Sequence, residues 1–365
     1  MEKLLQNVAS NFNLGGEVIE GTPFGQGHVN TTYLVTVKAK NSNKQYILQE
    51  INTSIFTNPD ALMDNIFAVT DFLKEKIIAH GGNINKETLN FLKTNEGKKY
   101  FTHTNGSCWR VYHFVGDTIC LEKVESADDF YTVAETFGNF QNLLGDYPAD
   151  TLHETIEKFH DTPNRFNNFK IALETDKMGR AKDVQKEIDF VLAHEKDCSV
   201  LKDLLDAGKL PLKVTHNDTK LNNVLIDKET GKGICVIDLD TVMPGLALHD
   251  YGDSIRFGAN NCAEDEQDLT KVNFSLDLFE VFTKGFMSSA GKALTETEKA
   301  YLPWGAKLMT LECGMRFLTD HLDGDTYFKI HRENHNLDRC RTQFKLVSDM
   351  EEVWEQMENI VKKYC

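Results

Sequence analysis

Residues 211–245 read PLKVTHNDTKLNNVLIDKETGKGICVIDLDTVMPG, and this stretch decides the fold. It contains two short runs rich in β-branched residues, joined by the polar turn KETGK, which is the pattern of a β-hairpin. The polar cluster from His216 through Asp218 to Asn223 has the form H-x-D-x-x-x-x-N and lies in the loop before the strand VLID. A second polar cluster, Asp238-Leu239-Asp240, ends the strand that pairs back. The hairpin is therefore expected to bring a carboxylate close to the loop.

The two polar clusters carry the groups that phosphoryl transfer from ATP requires. Such a transfer needs oxygen ligands for Mg²⁺, a carboxylate that orients or deprotonates an acceptor hydroxyl, and positive charge near the phosphates. Asp218, Asn223 and Asp238 provide the oxygens, and Lys220 provides the charge. An isolated H-x-D is a weak signal, and an Asn in a loop can simply form a turn. The spacing, the hairpin and the second Asp agree, and this consistency favours a kinase.

The sequence THNDTKLNNVLI followed by VIDLDTVMPG resembles the signature of the aminoglycoside and choline phosphotransferase superfamily. Its spacing also matches the protein-kinase catalytic loop. The resemblance implies that Asp218 is the catalytic base and that Asn223 and Asp238 bind Mg²⁺. It further implies that His216 supports the loop and that Lys220 neutralises charge on the transferred phosphoryl group.

Other acidic residues near this signature have separate interpretations. Asp250, in the run LHDYGD, matches a position that in the family braces the catalytic loop by hydrogen bonds. The run VIDLDTV also resembles the nucleophile motif of haloacid-dehalogenase-type phosphatases, in which Asp238 would be phosphorylated and Asp240 would act as the acid. That motif normally opens its domain, whereas here it follows the middle of the chain. The phosphatase hypothesis also leaves the cluster around Asp218 unexplained.

The rest of the chain fits a two-lobed, protein-kinase-like fold of the α+β class. Residues 1–116 contain β-rich runs such as TTYLVTV, QYILQEI and CWRVYHFV, with one helix from Asn58 to Gly81, and predict a nucleotide-binding N-lobe with an antiparallel sheet. Residues 117–365 predict a mainly helical C-lobe that holds the catalytic loop and the acceptor site. Amphipathic spacing there predicts helices near residues 126–145, 151–159, 180–206, 272–290, 296–321 and 338–363.

The N-lobe contains the expected contacts to ATP. The turn FGQGHVN would let backbone amides around Gly25 and Gly27 approach a phosphate. Protein kinases and most antibiotic kinases hold the α- and β-phosphates with a Lys on the third strand, but QYILQEIN places Gln49 there. Gln49 can still donate a hydrogen bond to a phosphate but brings no charge, so a pseudokinase that binds ligands without turnover remains an alternative. The backbone from His113 to Val115, at the expected lobe crossing, is expected to face adenine.

Several further segments resemble the N-acetylhexosamine 1-kinases of sugar salvage, and the similarity covers nearly the whole chain. The segments are GQGHVNTTYLV, YILQEINTSIFTNPD, FHDTPNRF, SIRFGAN and ECGMRFLTDHLDGDTYF. The resemblance implies phosphorylation of the anomeric hydroxyl of N-acetylglucosamine or N-acetylgalactosamine. Arg316 would donate paired hydrogen bonds to sugar hydroxyls, or alternatively form an ion pair with Glu312. Phe257 and Tyr327 would stack on the sugar ring, and His28 would reach it from the N-lobe. Kinases of other small alcohols, such as an aminoglycoside, choline or homoserine, remain alternatives.

Composition narrows the partners. The 365 residues include 56 acidic and 40 basic side chains, and the formal charge of −16 disfavours nucleic acid. The eight cysteines are scattered without zinc-ligand spacing and are expected to be reduced thiols. The first residues lack the continuous apolar core of a signal peptide, and the sequence has no membrane-spanning run. We expect a cytoplasmic monomer that binds ATP, Mg²⁺ and a small sugar.

Overall fold

The computed structural model describes residues 2–25, 29–40 and 42–365. Its elements confirm the predicted α+β class, because an antiparallel sheet occupies the N-terminal part and helices dominate the C-terminal part. The chain divides into two compact units, and the predicted boundary at residues 116–117 lies close to the first break between them. The sheet unit comprises Met1–Ile119, Asp150–Glu157 and Leu225–Met243, and the helical unit comprises Cys120–Ala149, Lys158–Val224 and Pro244–Cys365.

The helices and strands follow one another in an order that changes from mostly β to mostly α along the chain. In that order they are α1 Glu2–Ala9, β1 Glu17–Pro23, β2 Thr31–Lys38, β3 Asn43–Ile51, α2 Pro59–Ala79, α3 Ile84–Glu87, β4 Phe91–Leu92, β5 Phe101–Thr102, β6 Cys108–His113, β7 Thr118–Ile119, α4 Ala127–Leu143, α5 Thr162–Thr175, α6 Gln185–Ala193, α7 Val200–Asp206, β8 Lys213–Thr215, β9 Val224–Asp227, β10 Gly233–Val236, β11 Met243–Gly245, α8 Ala247–Gly258, α9 Leu276–Ala290, α10 Glu296–Ala300, α11 Leu302–Asp323, α12 His335–Glu352 and α13 Trp354–Tyr364.

The main sheet of the sheet unit runs β1-β2-β3-β6-β4, with β5 also paired to β6. Residues rich in Thr, Val, Ile and Tyr form its long strands, because such side chains pack well on a pleated surface. One face is covered by α1, whose Leu5 and Val8 pack into a core with Tyr46, Leu48 and Trp109. The sheet is thus a rigid, apolar base for the polar residues on its strands.

Helix α2 confirms the helix predicted between Asn58 and Gly81. Asn58 caps its first turn, since the side-chain oxygen accepts the amide of Ala61 at 3.1 Å, and Pro59 begins the helix. Beyond its end, Gly81 has a φ of +74°, a left-handed conformation that favours glycine. These local signals explain why the sequence located both ends of the helix.

A later segment of the chain joins the sheet unit through one buried side chain. Asn65 of α2 donates its amide to the carbonyl oxygens of His153 and Val242, at 2.8 and 2.9 Å, and accepts the amide of His153 at 2.8 Å. The helix predicted over residues 151–159 is therefore wrong. The segment contains a 3₁₀ turn at Ala149–Thr151 and then irregular backbone, in which the N–H and C=O of His153 bond to Asn65 of α2.

The hairpin predicted near the end of the sheet unit is confirmed. Strand β9 pairs with β10 on one side and antiparallel with β7 on the other. Asp227 shapes the turn between β9 and β10, since its Oδ1 accepts the amide and the hydroxyl of Thr230 at 2.9 and 3.0 Å. Lys86 of α3 pairs with the same carboxylate at 3.1 Å. Local hydrogen bonds thus fix the strand that leads to Asp238.

In the helical unit, α8 and α11 approach each other more closely than side chains normally permit. A Cβ atom on Gly252 of α8 would lie 2.1 Å from the carbonyl oxygen of Gly305, and a Cβ on Gly305 would lie 2.5 Å from that of Leu248. Nearly every residue of α8 is buried, polar ones included. Helix α8 is consequently held in one place in the helical unit.

None of the helices in the described part of the chain has the length and apolar character of a membrane-spanning segment.

The substitution Gly252→Ala is expected to lower the free energy of unfolding by about 1–3 kcal/mol, because the added methyl group overpacks against the backbone of α11. Helix propensity alone predicts the opposite sign, since alanine is favoured over glycine by about 1 kcal/mol in a helix interior. Urea denaturation followed by circular dichroism measures the change. A stabilised variant would contradict the close packing of the two helices.

Candidate active site

The candidate catalytic loop lies in the helical unit between β8 and the 3₁₀ turn Leu221–Asn223. It begins at His216, and Asn217 adopts a left-handed φ of +64°. Asparagine tolerates this conformation better than most residues. Thr215 stabilises the bend, since its hydroxyl donates to the side-chain oxygen of Asn217 at 3.0 Å. The backbone therefore turns sharply just before Asp218.

The buried carboxylate of Asp250 holds this bend from α8. Its oxygens accept the backbone amides of His216 and Asn217 at 2.9 and 2.8 Å, and the side-chain amide of Gln141 at 2.5 Å. Burial raises the pKa of Asp250, and the hydrogen bonds from the loop oppose that rise. Asp250 thus braces the loop, as expected from the sequence.

A second carboxylate of α8 fixes the other side of the loop. Asp253 accepts the backbone amide of Thr219 at 2.9 Å, and Ser254 donates to the carbonyl of Thr219 at 2.9 Å. The carboxylate of Asp253 is in turn paired with the buried Arg256 at 2.9 Å. None of these residues is among those predicted from the sequence for the site. One face of α8 therefore positions the backbone on both sides of Asp218.

Asp218 lies between a cation and an amide. Its carboxylate contacts the ammonium of Lys220 at 2.8 Å, and Asn223 donates its side-chain amide to the carbonyl oxygen of Asp218 at 2.8 Å. The side chain of Asp218 is 26% exposed, so a substrate can reach it. Partial burial would raise the pKa of Asp218, but Lys220 outweighs it and the pKa lies below its ordinary value. The group is an accessible, ionised carboxylate.

His216 is completely buried and faces aromatic rings. The edges of Phe137 and Phe140 meet its ring at centroid distances of 5.7 and 6.1 Å. Its Nδ1 accepts the amide of Asp218 at 3.3 Å. Such an interior position supports the loop and leaves no room for contact with a substrate.

The predicted acceptor residues lie on two helices of the helical unit and the segment after one of them. Phe257 is on α8, one helical turn beyond Asp253 and therefore on the same face. The guanidinium of Arg316 on α11 lies over the rings of Phe159, Tyr327 and Phe328, at 5.5, 5.7 and 5.4 Å. Arg316 and Tyr327 are thus neighbours, as a shared acceptor site requires.

The alternative partner of Arg316, Glu312, is engaged elsewhere. Its oxygens contact the ring of His160 at 2.8 Å and the hydroxyl of Thr162 at 2.6 Å. Burial would raise the pKa of Glu312, but His160, Arg316 and Thr162 together lower it to about 2. His160 also contacts the carbonyl oxygen of Asn217 at 3.3 Å, which connects α11 to the catalytic loop. This histidine lies in the segment FHDTPNRF.

In the sheet unit, the side chain of Gln49 is hydrogen-bonded to residues of both neighbouring strands. Its Oε1 accepts from Arg110 of β6 at 2.6 and 2.9 Å, and its Nε2 donates to the hydroxyl of Thr32 at 2.9 Å. A hydrogen bond from Gln49 to a phosphate stays a prediction, since an amide nitrogen carries two N–H donors. Arg110 is also paired with Asp240 at 2.5 Å. The charged group near this position is therefore Arg110, which is not among the site residues predicted from the sequence.

Asp238 follows β10 and adopts a left-handed conformation, with φ 58° and ψ 57°. That conformation is uncommon outside glycine, asparagine and aspartate, and it ends the strand abruptly. A 3₁₀ turn over Leu239–Thr241 follows directly. The backbone therefore leaves the direction of β10 at Asp238, which is the predicted metal ligand.

The structure describes some of the residues that are predicted to contact the nucleotide from the sheet unit. Gly25 has a φ of +76° and open space around its Cβ position, whereas Gly27 and His28 lie outside the described residues. The amide of His113 donates to Asn90, so it is already used within the sheet unit. The carbonyl of Val115 accepts the hydroxyl of Thr118 at 3.1 Å. A carbonyl oxygen can accept a second hydrogen bond, so the contact of this segment with adenine stays a prediction.

Known proteins share this fold. The APH family of phosphotransferase enzymes matches residues 20–273. A microcompartment-associated aminopropanol kinase is similar in structure, with a TM-score of 0.62, 15% identity and coverage of 98% of this chain and 99% of that one. A choline kinase from Cryptosporidium parvum Iowa II is similar with a TM-score of 0.58 and 14% identity, and the match covers 100% of this chain and 99% of that one. A spectinomycin phosphotransferase, solved with ADP and spectinomycin, is similar with a TM-score of 0.55 and 12% identity, and the match covers 99% of this chain and 97% of that one. At these identities the likeness establishes the fold, and the predicted two-lobed, kinase-like fold is confirmed.

The variant Lys220→Gln is expected to raise the pKa of Asp218, because it removes the main lowering influence and leaves the partial burial in place. Titration of the ¹³C-labelled carboxyl group, assigned by its loss in Asp218→Asn, measures the shift. Lys202→Gln, which removes an exposed cation paired with Asp206, is the matched control and should leave Asp218 unchanged. Equal pKa values in the wild type and in Lys220→Gln would contradict the assigned role of Lys220.

Proposed function

The chain belongs to the APH phosphotransferase enzyme family, and on that basis we propose that it is an ATP- and Mg²⁺-dependent kinase of N-acetylhexosamines. The proposed product is the 1-phosphate of N-acetylglucosamine or N-acetylgalactosamine. One observation carries the proposal: Asp218 is an accessible, ionised carboxylate beside Lys220, on a loop that Asp250 holds rigidly. The choice of acceptor is supported by the sequence resemblance and by the surroundings of Arg316.

In the proposed reaction, Asp218 orients the anomeric hydroxyl and takes its proton. The hydroxyl oxygen forms a bond to the γ-phosphorus of ATP as the bond from that phosphorus to the β,γ-bridging oxygen breaks, and ADP leaves. Lys220 keeps Asp218 ionised and places positive charge next to the transferred group. Because Asp250 and Asp253 fix the loop backbone, little reorganisation is needed at the moment of transfer.

Asn223 and Asp238 are the proposed ligands of Mg²⁺, and both offer the oxygen atoms that this ion prefers. Asn223 uses its amide nitrogen to bond the carbonyl of Asp218, so its amide oxygen is the end offered to a cation. In the chain, Asn223 directly precedes β9 and Asp238 follows β10. Bound Mg²⁺ would neutralise charge on the phosphates of ATP.

The surroundings of Arg316 support a neutral, polyhydroxylated acceptor. Choline and aminoglycosides are cations, which proteins recognise with open aromatic faces and carboxylates. Here the rings of Phe159, Tyr327 and Phe328 already face the guanidinium of Arg316, and Glu312 is engaged by His160. Arg316 is half-buried, and its Nη2 donates to the hydroxyl of Tyr327 at 3.4 Å. The other donors of its guanidinium suit sugar hydroxyls.

The phosphatase alternative is disfavoured by the environment of Asp240. That mechanism needs Asp240 as an acid that exchanges its proton with the substrate. Its carboxylate is buried and contacts Arg110 and Asn30, each at 2.5 Å. An oxygen pair so engaged is a poor proton donor, so the kinase proposal is the stronger one.

Incubation with ATP and Mg²⁺ is expected to yield ADP with N-acetylglucosamine or N-acetylgalactosamine, and not with choline, homoserine or kanamycin. ADP release identifies the acceptor, and ³¹P NMR identifies the phosphorylated position. The methyl glycoside of the reactive sugar is the matched control, because it lacks the anomeric hydroxyl and should not react. Reaction with choline or kanamycin alone would overturn the sugar assignment, and no reaction with any acceptor would favour a pseudokinase.

Asp218→Asn is expected to abolish turnover and to leave the affinity for Mg·ATP nearly unchanged, because the lost carboxylate acts on the acceptor. Asp238→Asn should instead weaken Mg·ATP binding, and asparagine tolerates the left-handed backbone at this position. Isothermal titration calorimetry and initial rates separate the two effects. Equal losses of nucleotide affinity in both variants would contradict the two roles.

A further inference from the structure

Gln49 stands where related kinases carry a lysine, and it is joined to a buried arginine on the neighbouring strand. Strands β3 and β6 pair so that Gln49 lies directly opposite Arg110. Gln49 accepts two hydrogen bonds from the guanidinium, at 2.6 and 2.9 Å, and donates to Thr32 at 2.9 Å. A lysine has no acceptor and would place a second positive charge against Arg110. The glutamine is therefore matched to the arginine.

Helix α2 offers no buried carboxylate as a partner for a cation on the sheet. The helix is fully described, and its buried residues are all uncharged: Ala61, Leu62, Met63, Asn65, Ile66, Phe67, Val69, Thr70, Leu73 and Ile77. Arg110 packs against one of them, with Nη1 4.0 Å from the sulfur of Met63. Its carboxylate partner is Asp240, whose Oδ1 lies 2.5 Å from the same Nη1. The lysine–glutamate pair of other kinases thus has an arginine–aspartate pair in its place.

The second oxygen of Asp240 is also fixed. It accepts the side-chain amide of Asn30 at 2.5 Å, and Asn30 in turn accepts the backbone amide of Asn52 at 2.9 Å. Asp240 is therefore held from two sides within the sheet unit. Asp238 lies in the same short turn and has a left-handed backbone, which persists only where the surroundings impose it.

We propose that Arg110 is a positioning residue for the metal site, acting through Asp240 to fix the turn that carries Asp238. The proposal rests on the proposed function in one respect, namely that Asp238 binds Mg²⁺. Gln49 contributes to the same arrangement, since its hydrogen bonds orient the guanidinium of Arg110 toward Asp240. Arg110 places a positive charge on the strand next to Gln49, and its acidic partner Asp240 lies in the turn that carries Asp238.

Arg110 acts through Asp240 and does not contact a phosphate itself. It is only 2% exposed, and its donors are engaged by Gln49 and Asp240. Burial would lower the pKa of Arg110, but Asp240 raises it above its ordinary value, so the charge persists. The guanidinium is a fixed charge in the interior, which is suited to holding a carboxylate turn.

The test is the affinity for a non-hydrolysable ATP analogue, measured by calorimetry with and without Mg²⁺. Arg110→Gln is expected to weaken Mg²⁺-dependent binding by about tenfold or more, as the loss of a group that orients a metal ligand usually does. Arg110→Lys keeps the charge and should recover part of the loss. Gln49→Lys should also weaken binding, whereas the double variant Gln49→Lys/Arg110→Gln should bind better than either single variant.

Lys307 provides the matched control. It is another buried cation, paired with Asp197 and Glu351 at 2.7 Å each, and it lies in the helical unit away from the candidate loop. Lys307→Gln is expected to lower the melting temperature and to leave Mg²⁺-dependent nucleotide binding unchanged. Comparison with Arg110→Gln separates a loss of stability from a loss of metal positioning.

The outcomes are distinguishable. If Arg110→Gln lowers only the melting temperature, as Lys307→Gln should, Arg110 is merely structural and the proposal is overturned. Tolerance of Gln49→Lys, or additive losses in the double variant, would overturn it as well. So would a wild-type protein that binds nucleotide equally with and without Mg²⁺. If the wild type shows Mg²⁺-dependent binding but phosphorylates no acceptor, the proposed function fails, while the binding measurements still decide the role of Arg110.

Discussion

The buried carboxylate of Asp250 is the interaction on which the candidate active site depends. Burying an ionised carboxylate costs several kcal/mol unless hydrogen bonds compensate. Asp250 accepts three, two of them from the backbone of the catalytic loop, and bonds to a charged group contribute about 1.5–3 kcal/mol each. The carboxylate and the loop therefore stabilise each other. The position of Asp218 follows from that mutual requirement.

The same constraint extends into the packing of the helical unit. Helix α8 can present Asp250 and Asp253 to the loop only if the helix itself is fixed, and the close contact of Gly252 with Gly305 of α11 fixes it. Helix α11 also carries Arg316, so the base and the proposed acceptor contact are tied to one pair of helices. In the sheet unit, an arginine–aspartate pair does comparable work for the turn that carries the proposed metal ligand.

Local patterns in the sequence were sufficient for the fold class, helix α2 and the catalytic loop. Capping residues, alternation and motif spacing are properties of short segments, so they can be read without a structure. The helix predicted at residues 151–159 is absent, and the backbone N–H and C=O of His153 bond instead to Asn65, far away in the chain. Helix α8 was missed because it is buried on all sides and its polar residues disguise the helical period. Helix α5 carried a readable signal, since Asp161 caps it and Pro163 follows.

The parts of the site that lie within one segment of the sequence could be predicted. The parts that depend on which residues face each other on paired strands could not. Gln49 was recognised as unusual, but its match with Arg110 depends on the register of β3 and β6, which no local pattern reveals. Arg110 itself has a local signal, since it is the one charged residue of the run CWRV. The contact of Glu312 with His160 likewise joins segments distant in sequence.

The central claim is that Asp218 directs a single, direct transfer from ATP to the acceptor hydroxyl. The most direct test is the stereochemical course at phosphorus, followed with ATP made chiral at the γ-position and with the acceptor that the protein phosphorylates. One in-line displacement inverts the configuration at phosphorus, and inversion is the predicted result. Retention would require two displacements through a phosphorylated residue such as Asp238, and it would contradict the role of Asp218 as the base of a direct transfer.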